Sequence, residues 1–150
     1  MTRPTCALVP LLLCACGLFG GPEGVPTDED EALIFARRIT AFYSLLEDIP
    51  IDAYFTYQNR ELRSYFEDER AFSDYYASIA GSIRDAAFRN GRAEQVRIEQ
   101  FRFERPGEAR VDLTLVGRHI RRLRFWERKV YRTDTWRQVE GVWMLTPSKL

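Results

Sequence analysis

Asp134-Thr135-Trp136-Arg137-Gln138-Val139-Glu140-Gly141-Val142-Trp143 is the stretch on which the reading of this chain turns. It is β-rich on both sides of Glu140-Gly141, and a two-residue connection ending in glycine is a strong hairpin signal, because the tight turn needs positive φ. With the turn placed there, Val139 faces Val142, Gln138 faces Trp143 and Trp136 faces Leu145. One face of the hairpin then carries Trp136, Trp143 and Leu145, the other Val139, Val142 and Met144. The first is expected to take helices; the second is left for a partner, a second layer or solvent.

Working back from the hairpin, alternation with period two persists to Gly91. Val96 and Ile98 alternate with charged residues, and Phe101 and Phe103 do so one step out of phase, which predicts a β-bulge near Glu99-Gln100 and a bent sheet. Pro106-Gly107 marks a turn, and Val111, Leu113 and Leu115 form the apolar side of the next strand. Gly117 is a candidate second bulge. The chain must reverse again between residues 118 and 124, and residues 125–139 and 142–146 complete a four-stranded antiparallel meander.

Before Gly91 the period is 3.6. Thr27 and Asp30 resemble a capping box, and acids at residues 28–31 crowd the positive end of a helix carrying Leu33, Ala36, Ile39, Phe42, Tyr43 and Leu46 to about Glu47. Its polar stripe, Arg37, Arg38, Ser44 and Asp48, is narrow, so most of its circumference is expected to be buried. Pro50 ends it, and residues 51–66 read as one or two short helices. Asp68 caps the last helix, whose Phe72, Tyr75, Tyr76, Ile79, Ile83 and Ala87 recur every three or four residues up to a left-handed cap at Asn90-Gly91.

A length of 150 residues suits one domain, and 45% hydrophobic with 29% charged residues excludes both a disordered and a membrane-embedded chain. Twenty-two basic side chains balance 22 acidic ones, and without Arg3 the count is 21 against 22. That balance provides no field for nucleic acid. The three cysteines, Cys6, Cys14 and Cys16, all precede the folded part, which therefore has no disulfide, thiolate metal site or cysteine nucleophile. No phosphate loop, zinc spacing or nucleophile elbow is present, and no cofactor or metal is expected.

Residues 1–15 read as an export signal: one positive charge at Arg3, then an apolar run over residues 7–15, well short of the roughly 20 residues that span a bilayer. Leu13-Cys14-Ala15-Cys16-Gly17 resembles the bacterial lipobox. The resemblance implies a lipidated Cys16 and a cell-envelope address, on an outer membrane facing the periplasm where the cell has one. The plainer alternative is a secretory signal cut after a small residue. Residues 16–27, rich in Gly and Pro, would tether the lipid to a single domain over residues 28–150.

Aromatic-rich helices followed by a bent meander ending in Trp, a turn with Gly, then Trp resemble the nuclear-transport-factor-2-like superfamily over nearly all of the mature chain. The resemblance implies an α+β cone, in which N-terminal helices pack into the concave side of a strongly curved four-stranded antiparallel sheet and leave a pocket at the wide end. It does not choose a function, since enzymes and noncatalytic scaffolds share the fold. Enzymes of this superfamily place an aspartate, or an aspartate with a histidine, in the cone with tyrosines donating to an oxyanion.

On this chain the candidates for such a role are Asp134, Asp112 and His119. Asp112 and His119 lie seven residues apart, about 23 Å along a strand at roughly 3.3 Å per residue, so they do not pair within one strand. Asp134 falls on the Trp136 side and could approach His119 or Arg110. The plainer reading of both aspartates is ion pairing with arginines such as Arg132 or Arg110. Tyr43, Tyr54, Tyr76 and Trp136 are the candidate pocket residues. Arg118, Arg121, Arg122, Arg124, Arg128, Lys129 and Arg132 form a basic stretch that could meet anionic lipid, although strand alternation divides it over two faces.

Three functions remain open from sequence: a noncatalytic lipid-anchored domain binding an envelope protein or a small apolar ligand; a metal-free isomerase, dehydratase or cyclase using a cone carboxylate; and a homodimer formed across sheet faces.

Overall fold

The computed structural model describes residues 29–47, 49–51, 53–121 and 126–147. The signal segment, Cys16, the tether, Thr27 and residues 122–125 of the basic stretch lie outside them. Helices come first: α1 (Glu29–Ser44), α2 (Tyr54–Tyr57), α3 (Arg60–Arg63) and α4 (Glu69–Asp85), then a 3-10 turn at Arg89–Gly91. Four strands follow, β1 (Gln95–Arg105), β2 (Glu108–Arg118), β3 (Glu127–Val139) and β4 (Val142–Thr146), paired in that order in one antiparallel sheet. The fold is α+β, with helices set on a curled sheet, compatible with a cone.

The hairpin register is the one the sequence implies: Val139 pairs with Val142, Gln138 with Trp143 and Trp136 with Leu145, around Glu140 at φ 49 and Gly141 at φ 80. β1 slips register between Ile98 and Gln100, so Ile98 and Phe101 both reach the concave face. An extra residue there bends and twists the sheet around the helices. The Pro106-Gly107 turn joins β1 to β2 with Gly107 at φ 72.

Gly117 is not a bulge; pairing with β3 runs unbroken through Gly117 and Arg128. Its need for glycine comes from packing, since a Cβ there would lie 2.6 Å from the ring of Phe88. Phe88 is buried, bridges to His119, and the adjacent Ala87 carbonyl accepts the Ile120 N–H at 2.9 Å. Together these contacts dock the end of β2 on the segment that leaves α4.

Two helix ends differ from the sequence reading. α1 stops at Ser44, and its exposed side is wider than expected: Leu33 and Ile34 are 51% and 60% exposed. The buried stripe is Phe35, Ile39, Phe42 and Tyr43, and Leu33 lies two residues, about 200°, from Phe35, on the opposite side of the helix. α4 ends at Asp85 rather than near Asn90. Ala87 takes the left-handed conformation, φ 54, with Phe88 N–H donating to the Ile83 carbonyl at 3.1 Å and Ala87 N–H to the Arg84 carbonyl at 2.8 Å. This is a Schellman cap with alanine at the glycine position. A left-handed L-residue costs about 1–2 kcal/mol, and glycine's extra chain freedom offsets about 0.5–1 of that. Ala87→Gly is therefore expected to raise stability by about 0.5–1 kcal/mol, read as an increase in Tm.

Aromatic rings join the two layers. Phe35 of α1, fully buried, touches Phe101 and Phe103 of β1, Trp136 of β3 and Trp143 of β4, with centroids 4.6–6.0 Å apart. The Arg38 guanidinium carbon lies over the Tyr65 ring, 3.9 Å from its centroid, and Arg38 donates to the carbonyls of Trp143 and Ser64. The Leu145 N–H donates to the Tyr65 carbonyl at 2.8 Å, tying β4 to the segment after α3.

Candidate functional site

On the concave face β3 presents Val130, Arg132, Asp134 and Trp136, and two polar side chains in that row need partners once α1 and α4 cover them. Asp134 is 4% exposed. Its Oδ2 accepts the Tyr43 hydroxyl of α1 at 2.9 Å and the Tyr75 hydroxyl of α4 at 2.8 Å; its Oδ1 lies 3.5 Å from the Arg132 guanidinium. Trp136 Nε1 donates to the Tyr43 hydroxyl at 3.3 Å. Arg132 also donates to Ser78 and Ser82 of α4 and stands 5.3 Å from the Tyr75 ring. Each helix thus contributes a tyrosine to one carboxylate oxygen, and α4 adds a serine pair for the neighbouring cation.

Burial pushes the Asp134 carboxyl above its usual value, outweighing Arg132 and the two hydroxyl donors. Burial, and then the Asp134 charge, raises both phenols well above theirs. A carboxyl raised in the folded state adds stability that is complete below its unfolded value, about 3.9, and is lost as pH rises through the folded one. The stability of the wild type relative to Asp134→Asn is therefore expected to fall as pH rises from about 4, in paired urea titrations. Asp112 carries the opposite sign. It lies on the outer face, where the Thr133 hydroxyl, the Gln100 amide and then Arg102 hold its carboxyl below its usual value.

The three candidate titratable residues lie apart. Asp134 opposes Val111 of β2, while His119 sits beyond the far end of β2, 8% exposed, its Nδ1 accepting the Arg121 N–H at 3.0 Å. Arg110 points outward and meets Glu104 at 3.7 Å, so neither His119 nor Arg110 reaches Asp134. Of the candidate pocket residues, Tyr43 and Trp136 meet in the packed interior. Tyr76 is half-buried with its hydroxyl on the Ala53 carbonyl, and Tyr54 stands out in solvent at 79% exposure. These four do not line one cavity. Tyr75 was not singled out by the sequence; only its phase in the Phe72–Ile79 stripe distinguishes it from Tyr76.

Open space lies elsewhere. A cavity of about 550 Å³ sits where α4 ends and β2 runs out, lined by Ile51, Ala80, Ile83, Phe88 and Ile120 with the polar Arg84 and Asn90 among them. Its apolar members come from three separate segments, and Ile120 belongs to no regular element, so no periodicity marks it in the sequence. The basic stretch is divided as alternation requires. Arg118 pairs with Glu94 at 2.7 Å, Arg128 donates to the Ala86 carbonyl, and Arg132 is interior. The outer sheet face is polar, with Arg102 between Glu104 and Asp112 and Glu108 between Arg105 and Arg137; Tyr131 projects from it at 76% exposure and Val142 at 43%.

Among the described residues no group of three or more His, Cys, Asp or Glu side chains is placed to hold a metal, and no helix is long and apolar enough to cross a membrane. The class defined is an α+β domain whose helices cover the concave side of a curled antiparallel sheet, with a hydrogen-bonded polar cluster inside, in which the buried Arg132 Nε has no partner, and a largely apolar cavity at one end. Comparison with protein-family models, with curated proteins and with solved structures finds no match to this chain.

Proposed function

We propose that this chain is a noncatalytic, lipid-anchored cell-envelope domain that binds a small apolar ligand in the cavity between Ile83, Phe88 and Ile120. The observation that carries the reading is the separation of charge from space. The acid of the concave face, Asp134, is enclosed by Tyr43, Tyr75 and Arg132, whereas the roomy cavity is lined mostly by apolar side chains, with Arg84 and Asn90, and includes no carboxylate among its described residues. A volume of about 550 Å³ falls in the range of about 300–1,000 Å³ that small-molecule sites occupy. The lipobox-like Leu13-Cys14-Ala15-Cys16 supports the anchor, which would hold the cavity close to a membrane.

Native mass spectrometry of the full-length protein, extracted in mild detergent from its own cells, tests this reading. The expected spectrum carries a lipid mass that Cys16→Ser removes, together with a bound small molecule. An empty chain of unmodified mass overturns it, and a second protein in place of the small molecule moves the binding role to the exposed sheet face. A pair of identical chains would instead support the homodimer.

One observation favours a second reading, that of a small-molecule isomerase, dehydratase or cyclase. A carboxyl raised by burial and bonded to two tyrosines has the components of a general base with hydroxyl donors. It requires substrate to reach Asp134, and Asp134 is not among the residues lining the 550 Å³ cavity. Proton exchange at carbon catalysed by the wild type and lost in Asp134→Asn would favour it.

A further inference from the structure

Among the described residues the cavity has one cationic side chain, Arg84, in a lining that is otherwise apolar apart from Asn90, and the placement of that cation specifies more than an apolar ligand. Arg84 lies on the last turn of α4, one turn after Ala80 and next to Ile83, and is an exposed residue that also lines the cavity, as a long side chain with an apolar stem and a charged head can be. Among the described residues nothing pairs with its guanidinium, in contrast with the arginines around it: Arg89 and Arg118 share Glu94, and Arg128 holds the Ala86 carbonyl. The helix-end carbonyls that could have attracted it are already taken, Ile83 by Phe88 N–H, Arg84 by Ala87 N–H and Ala86 by Arg128. The cavity therefore combines an apolar interior, an exposed isoleucine at its edge and a fixed positive charge at its rim.

Resting on the ligand-binding reading above, the geometry points to a single hydrocarbon chain ended by an anionic group as the occupant: chain between Ile51, Ile83 and Phe88, head on Arg84. The apolar wall supplies the affinity for the chain, and the unpaired guanidinium gives it direction, since a neutral head would leave that charge without a partner. A carboxylate and a phosphate monoester share this chemistry, the first as in a free fatty acid, the second as in a single-chain phospholipid.

The test uses the full chain in its native membranes and three diazirine-bearing probes with one twelve-carbon chain: dodecanoate, dodecyl phosphate and dodecanol. Crosslinks are located by peptide mass spectrometry. Expected are adducts within residues 79–91 from the two anionic probes, at least tenfold fewer from the alcohol, and a fall to the alcohol's level in Arg84→Glu. The more strongly labelling anion names the source of the ligand. Unlabelled acids of increasing length are expected to compete about fourfold better per added methylene until the cavity is full, and no better beyond. Ala80→Trp, which fills the cavity, and Ile120→Asp, which alters only its exposed edge, are each expected to abolish labelling.

Equal labelling of residues 79–91 by the alcohol overturns the anionic head while leaving the binding cavity standing. Labelling confined to the exposed Leu33-Ile34 or Tyr54-Phe55, by every probe, overturns both.

Discussion

Asp134→Ala is expected to lower folding stability by about 3–5 kcal/mol, measured from urea denaturation near neutral pH. Removing the carboxylate leaves Arg132, largely buried, without its counter-charge, and a buried ion that loses its partner carries a penalty of that size. The hydroxyls of Tyr43 and Tyr75 lose their acceptor in the same step. The double variant Arg132→Met/Asp134→Leu removes both charges and is expected to recover most of the loss, because an apolar replacement of a buried pair is often neutral. A loss below about 1 kcal/mol in the single variant would mean that water reaches the cluster, which would also revive Asp134 as a base.

Phe35→Ala is expected to be as damaging, about 3–5 kcal/mol, by a different route. The ring is fully buried and touches aromatic rings on three strands, so truncation removes its burial and leaves a void that stiff neighbours cannot close. The same assay separates it from Leu33→Ala two residues earlier, where a side chain already 51% exposed is expected to change stability by under about 0.5 kcal/mol. Similar losses at both positions would mean that α1 is rotated about its axis.

These expectations show which parts of the fold were legible in the residues. Period-two patterning fixed the face of every residue in the last hairpin, and the slip between Ile98 and Gln100 was readable because four apolar residues changed phase at one place. Gly117 was misread because glycine in a strand signals either a bulge or a close approach, and the ring that requires it, Phe88, lies 29 positions away with no pattern joining them. The end of α4 was misplaced for a related reason. Asn90-Gly91 is the conventional left-handed pair, yet Ala87 takes that conformation first, held by bonds to Ile83 and Arg84.

The site was legible by halves. The phase of β3 put Asp134 beside Trp136, and tyrosines were expected near it. Which tyrosine on α4 would reach it depended on the rotation of a helix about its axis, where one position, Tyr75 against Tyr76, separates a buried donor from a half-buried one. The cavity left no trace in the pattern because it is a property of where elements stop rather than of what they repeat.

The links from α1 to the C-terminal strands also govern the order in which the chain can become protein. Tyr43 meets Asp134 across 91 residues and Arg38 meets the Trp143 carbonyl across 105. The four strands, by contrast, pair only with sequence neighbours, so the meander can close by successive hairpins. During synthesis α1 emerges first; Phe42 meets Tyr65, Phe66 and Tyr75 of the helical half, whereas every ring that packs on Phe35 belongs to the strands made afterwards. A chain that has not yet reached β1 contains none of the rings that pack on Phe35, namely Phe101, Phe103, Trp136 and Trp143, so that face of α1 stays bare until the sheet is made.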